Sequence, residues 1–139
     1  MLILNPRTVR FGAAAWDGIA SVAIDRQPQR LAEEWSDGGP YAVFADVPEQ
    51  RTRITVVQEL SQSDLATPRP GEQAVVSFCT APAAGDTNRR RLSATAVVLE
   101  AKHELSLTRG ALRTITLAAI SADGAADPIT VTDASDGAP

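Results

Sequence analysis

The segment RTRITVVQEL, from Arg51 to Leu60, alternates in polarity with a period of two. Successive side chains of a β-strand point to opposite faces, so this alternation predicts a strand that buries one face and exposes the other. The residues predicted to face inward are Thr52, Ile54, Val56 and Leu60, whereas Arg51, Arg53 and Glu59 fall on the other face.

The same period recurs along the chain on either side of this segment. The predicted inward sets are Trp16, Ala20, Val22 and Ile24 in strand 16–25; Ala74, Val76 and Phe78 in strand 72–80; and Thr95, Val97, Leu99 and Leu105 in strand 92–105. Residues 111–122 are rich in Thr, Ile and Leu on both faces, which is typical of a central strand. Shorter strands are predicted over 8–11, 30–37, 41–46 and 129–132.

Turns rich in Gly, Pro and Asp separate these segments. Only Leu60–Ala66 favours a helix, which would be short because Pro68 ends it. We therefore predict a mainly β fold, a single-domain antiparallel β-sandwich or partly closed barrel with one short helix. This domain spans residues 1–132, and an acidic, flexible tail follows over 133–139.

The charge balance excludes a protein whose main role is to grip nucleic acid. The chain has 13 Lys and Arg residues against 17 Asp and Glu residues, and binding to phosphate backbones needs a cationic surface. A single cysteine excludes an intrachain disulfide. No segment approaches the roughly 18 apolar residues that span a bilayer. We expect synthesis in a cytoplasm and no stable membrane association.

Candidate catalytic and metal-binding residues are few. Cys79 and His103, the single cysteine and the single histidine, lie in apolar strand segments, so we interpret them as structural rather than as a nucleophile and its base. Four aspartates lie near the C-terminal end, namely Asp123, Asp127, Asp133 and Asp136. Their spacing matches no compact calcium loop, so we interpret them as an Asp-Gly turn followed by a solvated tail. We expect no enzymatic activity, no metal and no cofactor.

Two clusters are better suited to contacts between proteins. Glu33, Trp35 and Asp37 fall on one face of a predicted strand, a mixture that is unusual in a core and reasonable on a contact surface. The single basic cluster, Arg89–Arg91, fits a solvated loop, a phosphate contact or a carboxylate on a neighbouring subunit.

Five segments combine strand spacing and turn motifs in a distinctive order. They are LNPRTVRFG (4–12), WDGIASVAIDR (16–26), EEWSDGGPYAVFADVPEQR (33–51), RITVVQEL (53–60) and ISADGAADPITV (120–131). Over residues 1–132 the chain thereby resembles the tail tube protein of contractile-tailed bacteriophages. That family is similar in turn to the tube subunit of type VI secretion systems.

The resemblance implies a small β-sandwich subunit that closes into hexameric rings, which stack into the inner tail tube of the virion. In this family strands from six subunits line the lumen, and a long hairpin or loop reaches the next ring. By position, the hairpin corresponds to residues 25–47 and contains Arg26, Arg30, Glu33, Glu34 and Asp37. The implied partners are further copies of the chain, the tail sheath protein, and the baseplate and tail terminator proteins, with DNA only as transient cargo.

Other functions stay open. The second hypothesis, after a tube subunit, is another structural component of the particle, such as a baseplate or tail-end protein or a capsid decoration protein. A stand-alone β-sandwich module that binds carbohydrate or protein is the alternative from a different class, and Trp16 and Trp35 are its candidate contact residues. A neutral-to-acidic wall suits a conduit for DNA, because it repels the phosphates that a basic wall would hold.

Overall fold

Nine β-strands make up most of the described part of the chain, which in this computed structural model comprises residues 2–3, 6–16, 18–60, 68–80, 90–106 and 110–133. They are β1 (Leu2–Ile3), β2 (Pro6–Phe11), β3 (Ala14–Trp16), β4 (Ile19–Trp35), β5 (Ala42–Leu60), β6 (Gln73–Thr80), β7 (Arg90–Ser106), β8 (Gly110–Ile120) and β9 (Thr130–Asp133). The prediction of a mainly β, antiparallel fold is confirmed. The predicted helix begins at Leu60, which instead ends β5, and its other residues lie outside the described ranges.

All nine strands belong to one antiparallel sheet, in the order β1-β4-β5-β8-β7-β6-β2-β3, with β9 paired to β7 in line with β8. The sheet is not closed into a barrel. It folds over so that β2 lies against β4, which gives the molecule a sandwich-like interior. Strand β8 lies between β5 and β7, in the central position that its apolar faces predict.

The core is built from alternate residues of β2 to β8, because only one face of each strand points into the fold. Its buried members are Val9, Phe11, Trp16, Val22, Ile24, Ile54, Val56, Val76, Phe78, Leu92, Ala94, Ala96, Val98, Ile115 and Leu117, joined by Ile129 from the loop before β9. The inward positions predicted for β5 are confirmed at Thr52, Ile54 and Val56, and the side chain of Leu60 lies outside the described part of the structure. The inward face predicted for β6 is confirmed, with Ala74 packed partly buried against the cluster. Gln58 occupies a buried inward position that the prediction did not include.

The inward face predicted for β7 is wrong. Leu92, Ala94, Ala96 and Val98 are buried, whereas Thr95 and Val97 point outward and Leu99 is exposed. A bulge between Val98 and Glu100 adds one residue to β7 and reverses the alternation beyond it. Small alanines fill the inner positions, so the larger side chains of the outer face mislead a count of apolar residues.

Two further predictions need correction. The two strands predicted over 16–25 and 30–37 are largely one continuous strand, β4, and Trp16 belongs to the separate strand β3. The two strands predicted over 41–46 and 51–60 are likewise one continuous strand, β5. Pro28 and Pro48 are accommodated because, among the described strands, that part of β4 and of β5 is paired on one side only. On the free side a missing N–H costs no ladder hydrogen bond. Ala20, predicted to face inward, is exposed because the ladder shifts between Ile19 and Ser21.

Candidate interaction surface

A long hairpin projects from the body of the sheet. Burial along β4 ends at Ile24 and burial along β5 begins at Thr52, yet the two strands stay paired out to Trp35 and Ala42. Almost every residue of the intervening 25–51 is exposed. Strand β8 pairs with β5 only from Thr52 onward, and β1 pairs with β4 only near Val22, so this hairpin has no further strand on either side among the described residues.

The outer half of this hairpin, residues 31–46, carries large apolar side chains in contact with solvent; we call it the distal hairpin. Trp35 is 58 % exposed, Tyr41 83 % and Phe44 50 %, and Leu31 and Val43 are exposed to a similar extent. A two-stranded ribbon alone is marginally stable in water, and clustered exposed apolar residues mark interaction sites. The distal hairpin is therefore the strongest candidate surface for a protein partner.

The distal hairpin is also acidic, since it contains Glu33, Glu34, Asp37 and Asp46 and no Lys or Arg. Glu33 lies opposite Ala45 and Glu34 opposite Phe44, so the adjacent carboxylates project from opposite faces of the ribbon. The prediction that Glu33, Trp35 and Asp37 share one strand face is wrong for Asp37. Asp37 lies in the turn after Trp35 rather than on the strand, because β4 ends at Trp35.

The remaining predicted contact residues lie at two places. Arg26 and Arg30 belong to the hairpin, at its root, and Arg30 Nη1 lies 3.7 Å from Glu49 Oε1. Arg90 and Arg91 begin β7, which β8 separates from β5, and Arg89 lies outside the described residues. The structure thus groups the hairpin residues and leaves the arginine cluster as a separate feature.

An ion pair ties the root of the hairpin to the body. The Arg26 guanidinium donates from Nη1 to Asp127 Oδ1 at 3.0 Å, and its Nη2 lies 3.0 Å from Asp127 Oδ2. Asp127 Oδ1 also accepts the backbone N–H of Ile129, whose side chain is buried in the core. The Arg26 hydrogen bond, followed by the Ile129 N–H, holds the pKa of Asp127 below its ordinary value.

The loop that carries Asp127 is organised by a second aspartate. Asp123 Oδ1 accepts the backbone N–H groups of Ala126 and Ala125 and the hydroxyl of Ser121, and these bonds lower the pKa of Asp123. Both side chains are thus engaged as turn and ion-pair groups. Among the described residues no cluster of three or more His, Cys, Asp or Glu side chains is placed to hold a metal ion.

The ion pair makes a specific contribution to stability. Asp127→Asn keeps a carbonyl acceptor for Ile129 but removes the charge, so we expect it to lower the free energy of unfolding by about 1 kcal/mol at neutral pH, the upper end for an exposed pair. A carboxylate with a lowered pKa stabilises the fold above its ordinary pKa of 3.8, and this contribution is lost as the pH falls through the folded-state value.

Urea unfolding of Asp127→Asn and wild type at several pH values measures this difference, with Asp46→Asn as a control for removal of an exposed carboxylate from the hairpin. The difference between wild type and Asp127→Asn should shrink towards zero in acid. A difference that stays constant from neutral pH to acid would contradict the ion-pair assignment.

A groove of about 670 Å³ lies beside this root. Arg26, Pro48, Thr52, Ile120 and Asp127 are among its lining residues. Its floor is the end of β8, and one wall is the loop that Asp123 organises. Arg26 and Asp127, which both line the groove, form an ion pair with each other. The charges of these two lining residues therefore neutralise each other.

A buried polar group in the body was missed by the sequence analysis. The Arg113 guanidinium is buried, donates to Gln58 Oε1 from Nε at 3.0 Å and from Nη2, and lies 5.6 Å from the centre of the Trp16 ring. His103 lies opposite Arg113, and its Nε2 is buried without a hydrogen-bond partner among the described residues. Gln58 and Arg113 occupy inward positions of their strands, a signal that was present in the alternation.

The candidate residues for catalysis and for ligand binding lie in different parts of the fold. Cys79 is buried and pairs with Arg91, near the start of β7, whereas His103 lies near its other end, so the two cannot act as nucleophile and base. Trp16 is a core residue stacked on Phe11 at 5.4 Å, whereas Trp35 is exposed on the hairpin. The two tryptophans therefore do not form the shared contact surface that a binding module would need.

Comparisons with known proteins give no relative from which function can be transferred. The chain matches no model of a protein family, and a search of curated proteins finds no significant match. No helix in the described ranges is long and apolar enough to cross a membrane.

Proposed function

We propose that the protein is a structural virion subunit that self-assembles into stacked hexameric rings, which form the inner tail tube through which DNA is ejected. The observation that carries this proposal is the distal hairpin, where Leu31, Trp35, Tyr41, Val43 and Phe44 are all exposed on a ribbon that pairs with no further strand of the described ranges. Such a surface is energetically costly in an isolated chain and becomes favourable when a second molecule covers it.

The open sheet supports assembly through specific contacts rather than by indiscriminate strand addition. Pro28 and Pro48 lie at the root of the hairpin and remove N–H donors from its free edges. Natural proteins use edge prolines and charges in this way to prevent unwanted pairing. The distal hairpin has no proline between Leu31 and Trp35 or between Ala42 and Asp46. The backbone N–H groups on its free edges therefore stay available to a partner.

The charge distribution supports the assignment to a conduit. The chain has a net charge of −4, so it has no cationic excess that would hold nucleic acid. A duct must not bind the phosphates of its cargo. In this proposal DNA is transient cargo, no cofactor takes part, and the partners are further copies of the chain, the tail sheath protein, and the baseplate and tail terminator proteins.

Analytical ultracentrifugation of the purified protein over a range of concentrations tests this proposal. We expect species whose masses are multiples of six subunits and which increase with concentration, because a head-to-tail contact closes into rings or extends into stacks. A protein that stays monomeric at every concentration, alone and with sheath protein, would contradict it. In the intact particle, a large multiple of six copies indicates a tube subunit, and a few copies indicate a baseplate or tail-end protein.

A further inference from the structure

Two Asp-Gly pairs lie in exposed turns of the described chain, Asp37-Gly38 in the turn of the distal hairpin and Asp123-Gly124 in the loop before β9. In such a pair the glycine nitrogen can attack the aspartate side chain, because glycine has no side chain of its own to hinder the approach. The two pairs share this chemistry but differ in their surroundings. The aspartates of two further pairs, Asp17-Gly18 and Asp136-Gly137, lie outside the described residues.

The attacking nitrogen is held in the same way in both pairs. The N–H of Gly38 donates to Ser36 Oγ at 3.2 Å, and the N–H of Gly124 donates to Ser121 Oγ at 3.1 Å. Neither glycine belongs to a strand, so neither nitrogen is committed to a ladder hydrogen bond. Any difference in reactivity between the two pairs must therefore come from the aspartates.

The two carboxylates differ in their hydrogen bonds. Asp123 Oδ1 accepts the backbone N–H groups of Ala125 and Ala126, at 2.9 Å each, and the hydroxyl of Ser121 at 3.1 Å. Within the described part of the chain no hydrogen bond or ion pair engages the side chain of Asp37, which is exposed. Asp123 must therefore break its hydrogen bonds before its Cγ can turn to the next backbone nitrogen, whereas Asp37 has none to break.

The same bonds keep Asp123 ionised. The backbone N–H of Ala126, followed by that of Ala125, lowers the pKa of Asp123. When a nitrogen attacks a carboxyl group, the departing oxygen leaves as water only if it carries protons, so the ionised form is the less reactive one. In mild acid this effect adds to the geometric protection of Asp123.

The turn that contains Asp37 leaves its backbone free to move. Gly38 and Gly39 follow Asp37 directly, and glycine restricts the backbone least of all residues. A Cβ added at Gly39 would meet no atom within 4 Å, so nothing packs against the turn at this position. The main chain can therefore bring the Gly38 nitrogen to the Asp37 Cγ.

We infer that Asp37 is a site of spontaneous isomerisation to isoaspartate and that Asp123 is protected from the same reaction. The Gly38 nitrogen bonds to the Asp37 Cγ, its proton passes to solvent, and the protonated carboxyl oxygen leaves as water, which closes a five-membered succinimide. Water then adds to the main-chain carbonyl carbon of Asp37 and breaks its bond to the Gly38 nitrogen. The chain now runs through the Cβ and Cγ of residue 37, which lengthens the hairpin turn. This inference does not depend on the proposed assembly.

Peptide mapping of aged protein tests the inference. The purified protein is incubated in dilute solution in mild acid, and mass spectrometry with electron-transfer fragmentation distinguishes isoaspartate from aspartate at each position over time. We expect isoaspartate to accumulate at Asp37 about 10-fold or more faster than at Asp123. Equal rates at the two positions, or a faster rate at Asp123, would overturn the inference.

Two variants separate the reactive turn from the protected one. Gly38→Ala places a Cβ 3.4 Å from Ser36 Oγ, an ordinary contact, and should slow the reaction at Asp37 about 10-fold because the Cβ hinders the nitrogen. Ser121→Ala removes one donor to Asp123 and the acceptor of the Gly124 N–H, so it should speed the reaction at Asp123 and leave that at Asp37 unchanged. An unchanged rate at Asp37 in the first variant, or at Asp123 in the second, would overturn the assignment.

Discussion

Replacing Trp35, Tyr41 and Phe44 together by serine is expected to abolish assembly and to leave a folded monomer. All three side chains are at least half exposed in the single chain, so the body does not depend on them. A few residues contribute most of the binding energy of a protein interface, about 2 kcal/mol or more each, and Trp and Tyr are frequent among them. The loss of all three side chains should therefore weaken association by roughly 1000-fold or more. Sedimentation measures the association, and circular dichroism with thermal unfolding measures the fold.

A matched control keeps this experiment specific to the hairpin. Leu99, Leu105 and Val131 are also large, exposed apolar residues, but they lie on β7 and β9. Changing these three to serine removes exposed apolar surface elsewhere on the molecule and should leave assembly close to that of wild type. If both triple variants associate equally, or if the hairpin variant assembles like wild type, the hairpin is not the contact element.

Gly18→Ala is expected to lower the free energy of unfolding more than the other single substitutions proposed at exposed positions. Gly18 has a φ of +70°, a conformation that an alanine adopts only with strain, and its backbone C=O accepts the N–H of Glu59 at 2.8 Å. An added Cβ would press against the backbone carbonyl oxygen of Glu59, well inside van der Waals contact. Strain and displacement of the β5 backbone together should cost about 3 kcal/mol or more.

Thermal and urea unfolding measure this cost, with Gly39→Ala as the control. Gly39 lies in the hairpin turn, has no positive φ of this kind, and would place its Cβ in open space. It should change the free energy of unfolding by less than about 0.5 kcal/mol. A Gly18→Ala protein as stable as wild type would contradict the close contact between the backbones of Gly18 and Glu59 at the start of β4.

Alternation predicted the inner faces of β5 and β6 because these strands are regular and one face of each is closed by the core. Ile54, Val56, Val76 and Phe78 are accordingly buried as expected. The same reasoning failed in β7, where a bulge after Val98 reverses the alternation and where alanines occupy the inner positions. Bulges follow from the pairing of neighbouring strands, which local periodicity does not encode.

The hairpin shows a different limit of sequence reasoning. Pro28 and Pro48 indicate breaks in a strand. They are compatible with a continuous ribbon because, in the part of the chain that the structure describes, no third strand pairs with the root. The position of the hairpin was expected from the resemblance to tail tube proteins, whereas its exposure needed the structure. Arg113, buried against Gln58 and Trp16, was overlooked because a charged residue is rarely assigned to a core.

Electron microscopy of the purified protein tests the central proposal most directly. Negatively stained samples at high concentration should show rings and stacks of rings, with sixfold symmetry and a central channel in end-on class averages. The triple serine variant of the hairpin, prepared in parallel, should show neither. Particles of monomer size throughout the wild-type sample, or closed dimers without a channel, would contradict the assignment as a self-assembling tube subunit.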